Sequence, residues 1–163
     1  MPQPTSRRAP ARPRTPGTTP GIELSEMLCF DLYAASRAVT SVYRVLLVGL
    51  GVTYPQYLVL VVLWREGPCQ VKALAERLHL DYGTLTPLLR RMEAGGLITR
   101  RRRPEDERSV EITLTTAGSA LEAPASELQP AIHAAFGLSR EGAIDLQKTL
   151  RHVTDSAKRT AGG

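Results

Sequence analysis

A chain of 163 residues with 42% hydrophobic and 23% charged residues has the composition of a folded globular protein, which excludes a disordered or collagen-like chain and fits one compact domain plus a tail. The net charge of +5 favours an anionic partner such as nucleic acid, but Arg7, Arg8, Arg12 and Arg14 lie in an acid-free stretch, so the remainder carries only +1 and charge alone does not establish DNA binding. Two cysteines, Cys29 and Cys69, are too few for a disulfide scaffold. With no signal-peptide pattern ahead of them a reducing cytoplasm is expected, and the longest apolar run, Tyr57 to Trp64, is far below the roughly 20 residues that span a membrane.

Residues 1–20 interleave Pro2, Pro4, Pro10, Pro13, Pro16 and Pro20 with Arg and Thr and hold almost nothing apolar to bury, the pattern of a disordered Arg/Pro-rich tail. The same prolines prevent the amphipathic helix that an organelle transit peptide uses. From 23 to 50 the pattern turns helical: Leu28, Leu32, Ala35, Val39, Val42 and Leu46 recur in steps of four and three, predicting a long helix with a packing seam. Gly49 and Gly51 end it. Thr53-Tyr54-Pro55-Gln56 then has the spacing of a capping box, with proline where a first turn tolerates it, so a second, buried helix is expected to about Arg65.

Gly67-Pro68 breaks the chain, and Val71, Leu74, Ala75 and Leu78 mark one apolar face of a short helix. Asp81 can cap the next helix, in which Leu85, Leu88, Leu89 and Met92 face the core. Gly83, Thr86, Pro87 and Arg90 lie near the opposite side, with Arg91 beside them, until Gly95-Gly96 stops it. Pro87 leaves the start of this helix open: a start at Asp81 sets the ring against the Gly83 carbonyl, whereas a start at Thr84 puts proline in the first turn. Val110, Ile112 and Leu114 alternate with polar residues as a half-buried strand does, and Leu97 to Arg103 can pair with them across Pro104-Glu105-Asp106-Glu107. Thr115 or Thr116 can cap a further helix, bent or interrupted at Pro124 and Pro130. Ser139 can cap a last one carrying Ala143, Leu146, Leu150 and Val153.

The expected fold is therefore mainly α (α+β), with two short helices, a tight turn and a hairpin forming a winged helix-turn-helix over about 55–118 and a reading head between Val71 and Leu114. In that motif the second helix enters the major groove. Arg90 and Arg91 are placed to reach phosphates or guanine edges, Thr84 and Thr86 to contact phosphates or bases, and Arg108 to probe the minor groove from the wing. For Arg100 to Arg103 a solvated face serves as well as a backbone-binding one.

The order of helix, helix and wing, with Asp106-Glu107-Arg108 followed by Leu114-Thr115-Thr116-Ala117-Gly118, resembles the MarR-type regulators over roughly residues 23–155. The resemblance implies a wing arginine, Arg108, in the minor groove, with Asp106 holding its guanidinium. It also implies long dimerisation helices at about 23–50 and 117–157, and a homodimer on a pseudo-palindromic DNA operator.

Leu28-Cys29-Phe30-Asp31-Leu32-Tyr33-Ala34-Ala35-Ser36-Arg37 and Tyr54-Pro55-Gln56-Tyr57-Leu58 narrow the likeness to the organic-hydroperoxide-responsive repressors, the OhrR branch. So do Leu80-Asp81 and Gly83-Thr84-Leu85-Thr86-Pro87, although Tyr82 stands where a small polar residue is usual. The likeness implies that Cys29 is oxidised by organic hydroperoxides and that DNA is then released. Read directly, a sensor thiol needs donors that stabilise the thiolate, and access for the peroxide. Tyr33, four residues after Cys29 on the same helical face, can supply a phenol donor. Tyr43 shares that face but lies about 21 Å further along the axis, so it reaches only the cysteine of a partner packed antiparallel. The resemblance implies the same, bringing the phenols of Tyr43 and Tyr54 from the opposite subunit to join Tyr33.

Without the resemblance, Cys29 reads as a small hydrophobe in a helix seam and the three tyrosines as core packing. Cys69 matches no sensor motif and is expected to be inert; the resemblance places a resolving cysteine of two-cysteine members near the C-terminal helices, where this sequence has none, and so implies that sulfenic acid at Cys29 goes on to a mixed disulfide with a small thiol or to overoxidation, a Cys29–Cys69 disulfide being the alternative. His79, His133 and His152 are scattered without ligand spacing, so no metal or other cofactor is expected, and neither a Gly-rich phosphate loop nor a Ser-His-Asp pattern suggests an enzyme. Two alternatives stay open: a regulator answering a small aromatic ligand, and a thiol peroxidase, which lacks an evident catalytic arginine, Arg37 being two turns from Cys29.

Overall fold

The computed structural model of the chain describes Gly21, residues 23–103 and 106–161, and at 102, 103 and 106–109 the backbone alone. The disordered tail expected at residues 1–20 lies outside the described residues. The chain divides into two compact units, Met1–Ala35 and Ser36–Gly163. In the first, a 3₁₀ turn at Leu24–Glu26 leads into helix α1, Leu28–Leu46, which runs on into the second. The helix expected over 23–50 is thus shorter. A second 3₁₀ turn, Val48–Leu50, takes up its other end and closes on Gly51 at φ 65, a left-handed conformation that glycine adopts without a steric penalty.

Within the second unit, helix α2, Tyr54–Glu66, opens on the expected capping box: the Thr53 N–H donates to Gln56 Oε1 at 2.8 Å. It buries Tyr57, Val59, Leu60 and Leu63. Helices α3, Val71–Leu78, and α4, Tyr82–Ala94, form the helix-turn-helix. The turn between them is tight because His79 adopts φ 54 and the Leu80 N–H returns to the Ala75 carbonyl at 3.0 Å. Asp81 caps α4, accepting from the Thr84 N–H at 2.7 Å. The helix therefore starts at Tyr82 and not at Thr84, and Pro87 lies in its second turn. An interior proline costs about 3 kcal/mol. Burying Leu85, Leu88, Leu89 and Met92, at about 1.5–3 kcal/mol each, exceeds that and holds the helix through it.

The sheet has three antiparallel strands in the order β1-β3-β2: β1 at Cys69–Gln70, β2 at Ile98–Arg103 and β3 at Asp106–Leu114. The hairpin was expected and β1 was not, since two residues carry no periodicity; Cys69 pairs with Ile112 and Gln70 with Glu111. The hairpin connection is also shorter than expected, because β3 begins at Asp106 and takes in both Asp106 and Glu107. Arg102 pairs with Val110 but Arg103 with Asp106, so a bulge on the β3 side contains Glu107, Arg108 and Ser109. A run of charged residues has no alternation from which to read that register.

Beyond the sheet come α5, Thr116–Ala120, α6, Glu122–Ser126, α7, Gln129–Ala135, and α8, Arg140–Ala161. Thr115, of the two candidates, caps α5, and Ser139 accepts from the Gly142 N–H at 3.1 Å ahead of α8. The interruptions fall just before the prolines, so that Pro124 and Pro130 sit in the first turns of α6 and α7, where a backbone N–H has no intrahelical acceptor to lose. The core is centred on the helix-turn-helix: Leu47, Leu60, Leu63, Leu74, Leu85, Leu89, Met92, Ile98 and Ile112 are fully buried. Neither α1 nor α8 contains a buried residue. Among the described residues no helix is long and apolar enough to cross a membrane.

Candidate nucleic-acid interface and thiol site

Helix α4 buries one face and leaves Thr84, Arg90 and Arg91 exposed and Thr86 half-buried. Thr84 also belongs to the helix cap, its hydroxyl donating to Asp81 Oδ2 at 3.1 Å while its N–H donates to Oδ1. These two hydrogen bonds hold the Asp81 carboxyl below the usual carboxylate range. With its proton committed to the cap, the Thr84 hydroxyl offers only lone pairs to a further partner. The cations sort into two groups. Arg77 pairs with Glu66 at 3.0 Å, and Arg100, with 22% of its side chain exposed, reaches from β2 to Glu93 of α4 at 3.8 Å. Among the described residues Arg90 and Arg91 form no ion pair, so their guanidiniums are uncommitted. Asp106 and Arg108 have their backbone on β3, Arg108 within the bulge, and their side chains lie outside the described residues.

The wing is anchored where its two legs meet. After β3 the Thr115 N–H donates to the Leu97 carbonyl at 3.1 Å, and the Thr115 hydroxyl donates to the Gly96 carbonyl at 2.6 Å while accepting from the Gly118 N–H at 3.0 Å. Gly118 is buried, and a Cβ there would run into the Leu97 carbonyl oxygen. From α2, the Trp64 indole N–H donates to the Gly118 carbonyl at 3.0 Å. The Thr-Thr-Ala-Gly run was legible as a motif, but the contact that requires its glycine was not.

Cys29 and Tyr33 belong to the first unit and Tyr43 and Tyr54 to the second. Cys29 is a free thiol exposed in the single chain, and the half-exposed Tyr33 ring lies 6.4 Å from that of Phe30. Tyr43 and Tyr54 do come together, stacked with centroids 4.2 Å apart. Tyr57 joins them at 5.6 Å from Tyr43, and Trp64 stands edge-on to Tyr57 at 6.2 Å. Burial, then the neighbouring phenols of Tyr54 and Tyr57, pushes the Tyr43 hydroxyl up to about 12; burial, then Tyr57, raises that of Tyr54. Both therefore remain neutral phenols able to donate hydrogen bonds. Tyr57, Trp64 and Gln129, whose Nε2 donates to the Tyr57 hydroxyl at 2.9 Å, had no assigned role in the sequence reading. The helical spacing of Tyr54, Tyr57 and Trp64 along α2 was the signal available for two of them.

A cavity of about 520 Å³ opens beside these rings, lined by Tyr43, Tyr57, Trp64, Arg65 and Gln129. Cys69 is half-buried in β1. Burial, then the Glu66 carboxylate, raises its thiol against the opposing pull of Arg77, leaving it protonated and a poor nucleophile, as an inert thiol should be. Among the described residues no three His, Cys, Asp or Glu side chains cluster to hold a metal ion.

The sequence and the fold are similar to those of known proteins. The sequence profile of the MarR family matches residues 52–110, the span from α2 into the wing. The organic hydroperoxide resistance transcriptional regulator of Bacillus subtilis (strain 168) is 49% identical over 127 residues, covering 78% of this chain and 84% of that protein. The chain belongs to the MarR family. Like the MarR relatives it matches, it is a transcriptional regulator and not an enzyme. Solved structures of similar fold include reduced AbfR bound to DNA, at 33% identity and a TM-score of 0.66 over 84% of this chain and 94% of that one. Overoxidised AbfR bound to DNA is similar at 36% identity and a TM-score of 0.59 over 80% of this chain and 95% of that one. The MarR fold thus carries the winged helix-turn-helix expected from the sequence.

Proposed function

We propose that the chain is a redox-sensing repressor that binds a pseudo-palindromic operator as a homodimer while Cys29 is reduced and releases it when an organic hydroperoxide oxidises that thiol. The observation that carries this reading is the exposed, free Cys29 in a chain 49% identical to a regulator of organic hydroperoxide resistance. The thiolate sulfur attacks the terminal oxygen of ROOH; an S–O bond forms as the O–O bond breaks, giving sulfenic acid and an alkoxide that takes up the proton the thiol released and leaves as ROH. Tyr33 of the same chain, with Tyr43 and Tyr54 of the partner, donate hydrogen bonds to the reduced sulfur. The stacked, neutral phenols of Tyr43 and Tyr54 suit that role. Oxidation takes the negative charge off the sulfur, breaks these hydrogen bonds and adds a bulkier polar group at a packed junction, changing the spacing of the two reading heads.

On the operator, α4 lies in the major groove with Arg90 and Arg91 on phosphates or guanine edges, Thr86 on an adjacent phosphate or base, and Thr84, its hydroxyl proton held by Asp81, accepting from a base amino group. Arg108 enters the minor groove from the wing, its guanidinium held by Asp106. The test is an operator titration by gel shift, with and without cumene hydroperoxide, on the wild type, Cys29→Ser and Cys69→Ser. Affinity has to be measured and not merely complex formation, since AbfR binds DNA in an overoxidised form as well as in the reduced one. Release by wild type and Cys69→Ser but not by Cys29→Ser is expected. Release by Cys29→Ser would sink the mechanism.

One observation favours a second reading, a regulator answering a small aromatic ligand: the cavity walled by Tyr43, Tyr57 and Trp64. Thermal shift with phenolic acids separates the two, because a ligand-gated regulator is stabilised by them whether or not Cys29 is present.

A further inference from the structure

We propose that Trp64 is a positioning residue that couples the tyrosine pair to the root of the wing, so that a displacement at the pair changes the angle at which the wing meets DNA. This rests on the assignment of Tyr43 and Tyr54 to the sensor. The contacts are continuous. Tyr54 stacks on Tyr43 at 4.2 Å, Tyr43 meets Tyr57 at 5.6 Å, and Tyr57 meets the edge of Trp64 at 6.2 Å. The Trp64 indole N–H then holds the Gly118 carbonyl at 3.0 Å.

Gly118 is not a passive acceptor. It is packed so closely on Leu97 that no side chain fits, and it shares the Thr115 hydroxyl with the Gly96 carbonyl, so it cannot move without Gly96-Leu97 and Thr115. Those residues are the two legs of the wing: Leu97 immediately precedes β2, Thr115 immediately follows β3, and the Leu97 N–H is bound to the Met92 carbonyl of α4 at 3.0 Å. Rings in contact transmit displacement because packed side chains have few intermediate arrangements. The cavity of about 520 Å³ bordered by Tyr43, Tyr57 and Trp64 gives them room on one side to move into. The indole N–H is thus a direct side-chain hydrogen bond from α2 to the wing root.

Trp64 is the only tryptophan in the sequence, so selectively excited fluorescence reports the surroundings of this one side chain. In the full-length protein the emission should shift when Cys29 is oxidised with cumene hydroperoxide, and should not shift in Cys29→Ser. Trp64→Phe keeps a ring and removes the N–H; the ratio of operator affinity between reduced and oxidised protein should fall about tenfold, within the range of allosteric couplings, with little change in the denaturation midpoint. A wild-type ratio in Trp64→Phe overturns the proposal. If that variant does not fold, unchanged wild-type emission through complete oxidation of Cys29 overturns it equally. Release that persists in Cys29→Ser defeats the sensor and the coupling together, whereas Cys29-dependent release with an unaltered ratio in Trp64→Phe defeats the coupling alone.

Discussion

In the reading head, α4 sets Leu85, Leu88, Leu89 and Met92 at helical spacing, and all four are buried against α2, α3 and the sheet. On helix α8 Leu146 and Leu150 are likewise four residues apart, yet they remain 45% and 38% exposed, and neither α8 nor α1 buries a residue. The difference is one of partners. A stripe of apolar side chains states that a helix has something to pack against, and only the surrounding chain decides whether that partner is supplied internally. The head is satisfied within one chain; the long helices present the faces that the proposed homodimer covers.

Substitutions in the two regions should behave differently, beginning with the core of the head. Leu89→Ala leaves a cavity in a fully enclosed site and should lower unfolding free energy by about 2–5 kcal/mol in urea denaturation, independently of protein concentration. Gly118→Ala forces a methyl group against the Leu97 carbonyl and should destabilise by about 1–3 kcal/mol, with a proportionately larger loss of operator affinity because the strain falls at the wing root. Leu150→Ala should change the stability of the dilute chain by less than about 0.5 kcal/mol, while sedimentation shows weaker self-association. An equal loss at every concentration would place α8 in the monomer core and undo the comparison.

The smallest effect is confined to alkaline solution. Because the Tyr43 phenol is raised in the folded state to about 12 from an ordinary value near 10, the folded state binds that proton more tightly than the unfolded chain does. Its contribution is complete below about pH 10 and lost as pH rises towards 12. Tyr43→Phe should flatten the fall in thermal stability across that window, leaving the neutral range unchanged apart from the lost hydroxyl contacts.

The helices of the head and the hairpin were legible because each has a local signature, apolar periodicity in α3 and α4 and alternation at Val110, Ile112 and Leu114, whereas the caps Asp81 and Thr115 were each only one of two candidate starts. What escaped depended on distant partners. Strand β1 exists because Cys69 finds Ile112, and Pro87 stays inside α4 because four buried side chains outweigh it, a balance invisible in the residues around the proline. At the candidate site, the pairing of Tyr43 with Tyr54 was reached through family likeness and the structure brings them together, whereas Tyr57, Trp64 and Gln129 acquired their places only through contacts between helices.

Strand β2 lies at one side of the three-stranded sheet, with β3 in the middle, so one row of its backbone donors and acceptors has no neighbouring strand in that sheet. Such an edge is a template for pairing with another chain. Here it carries Arg100, Arg101, Arg102 and Arg103 in succession, so a second wing laid antiparallel along it would set like charges opposite one another. The run of arginines thus guards the open edge of the wing against pairing with a second wing.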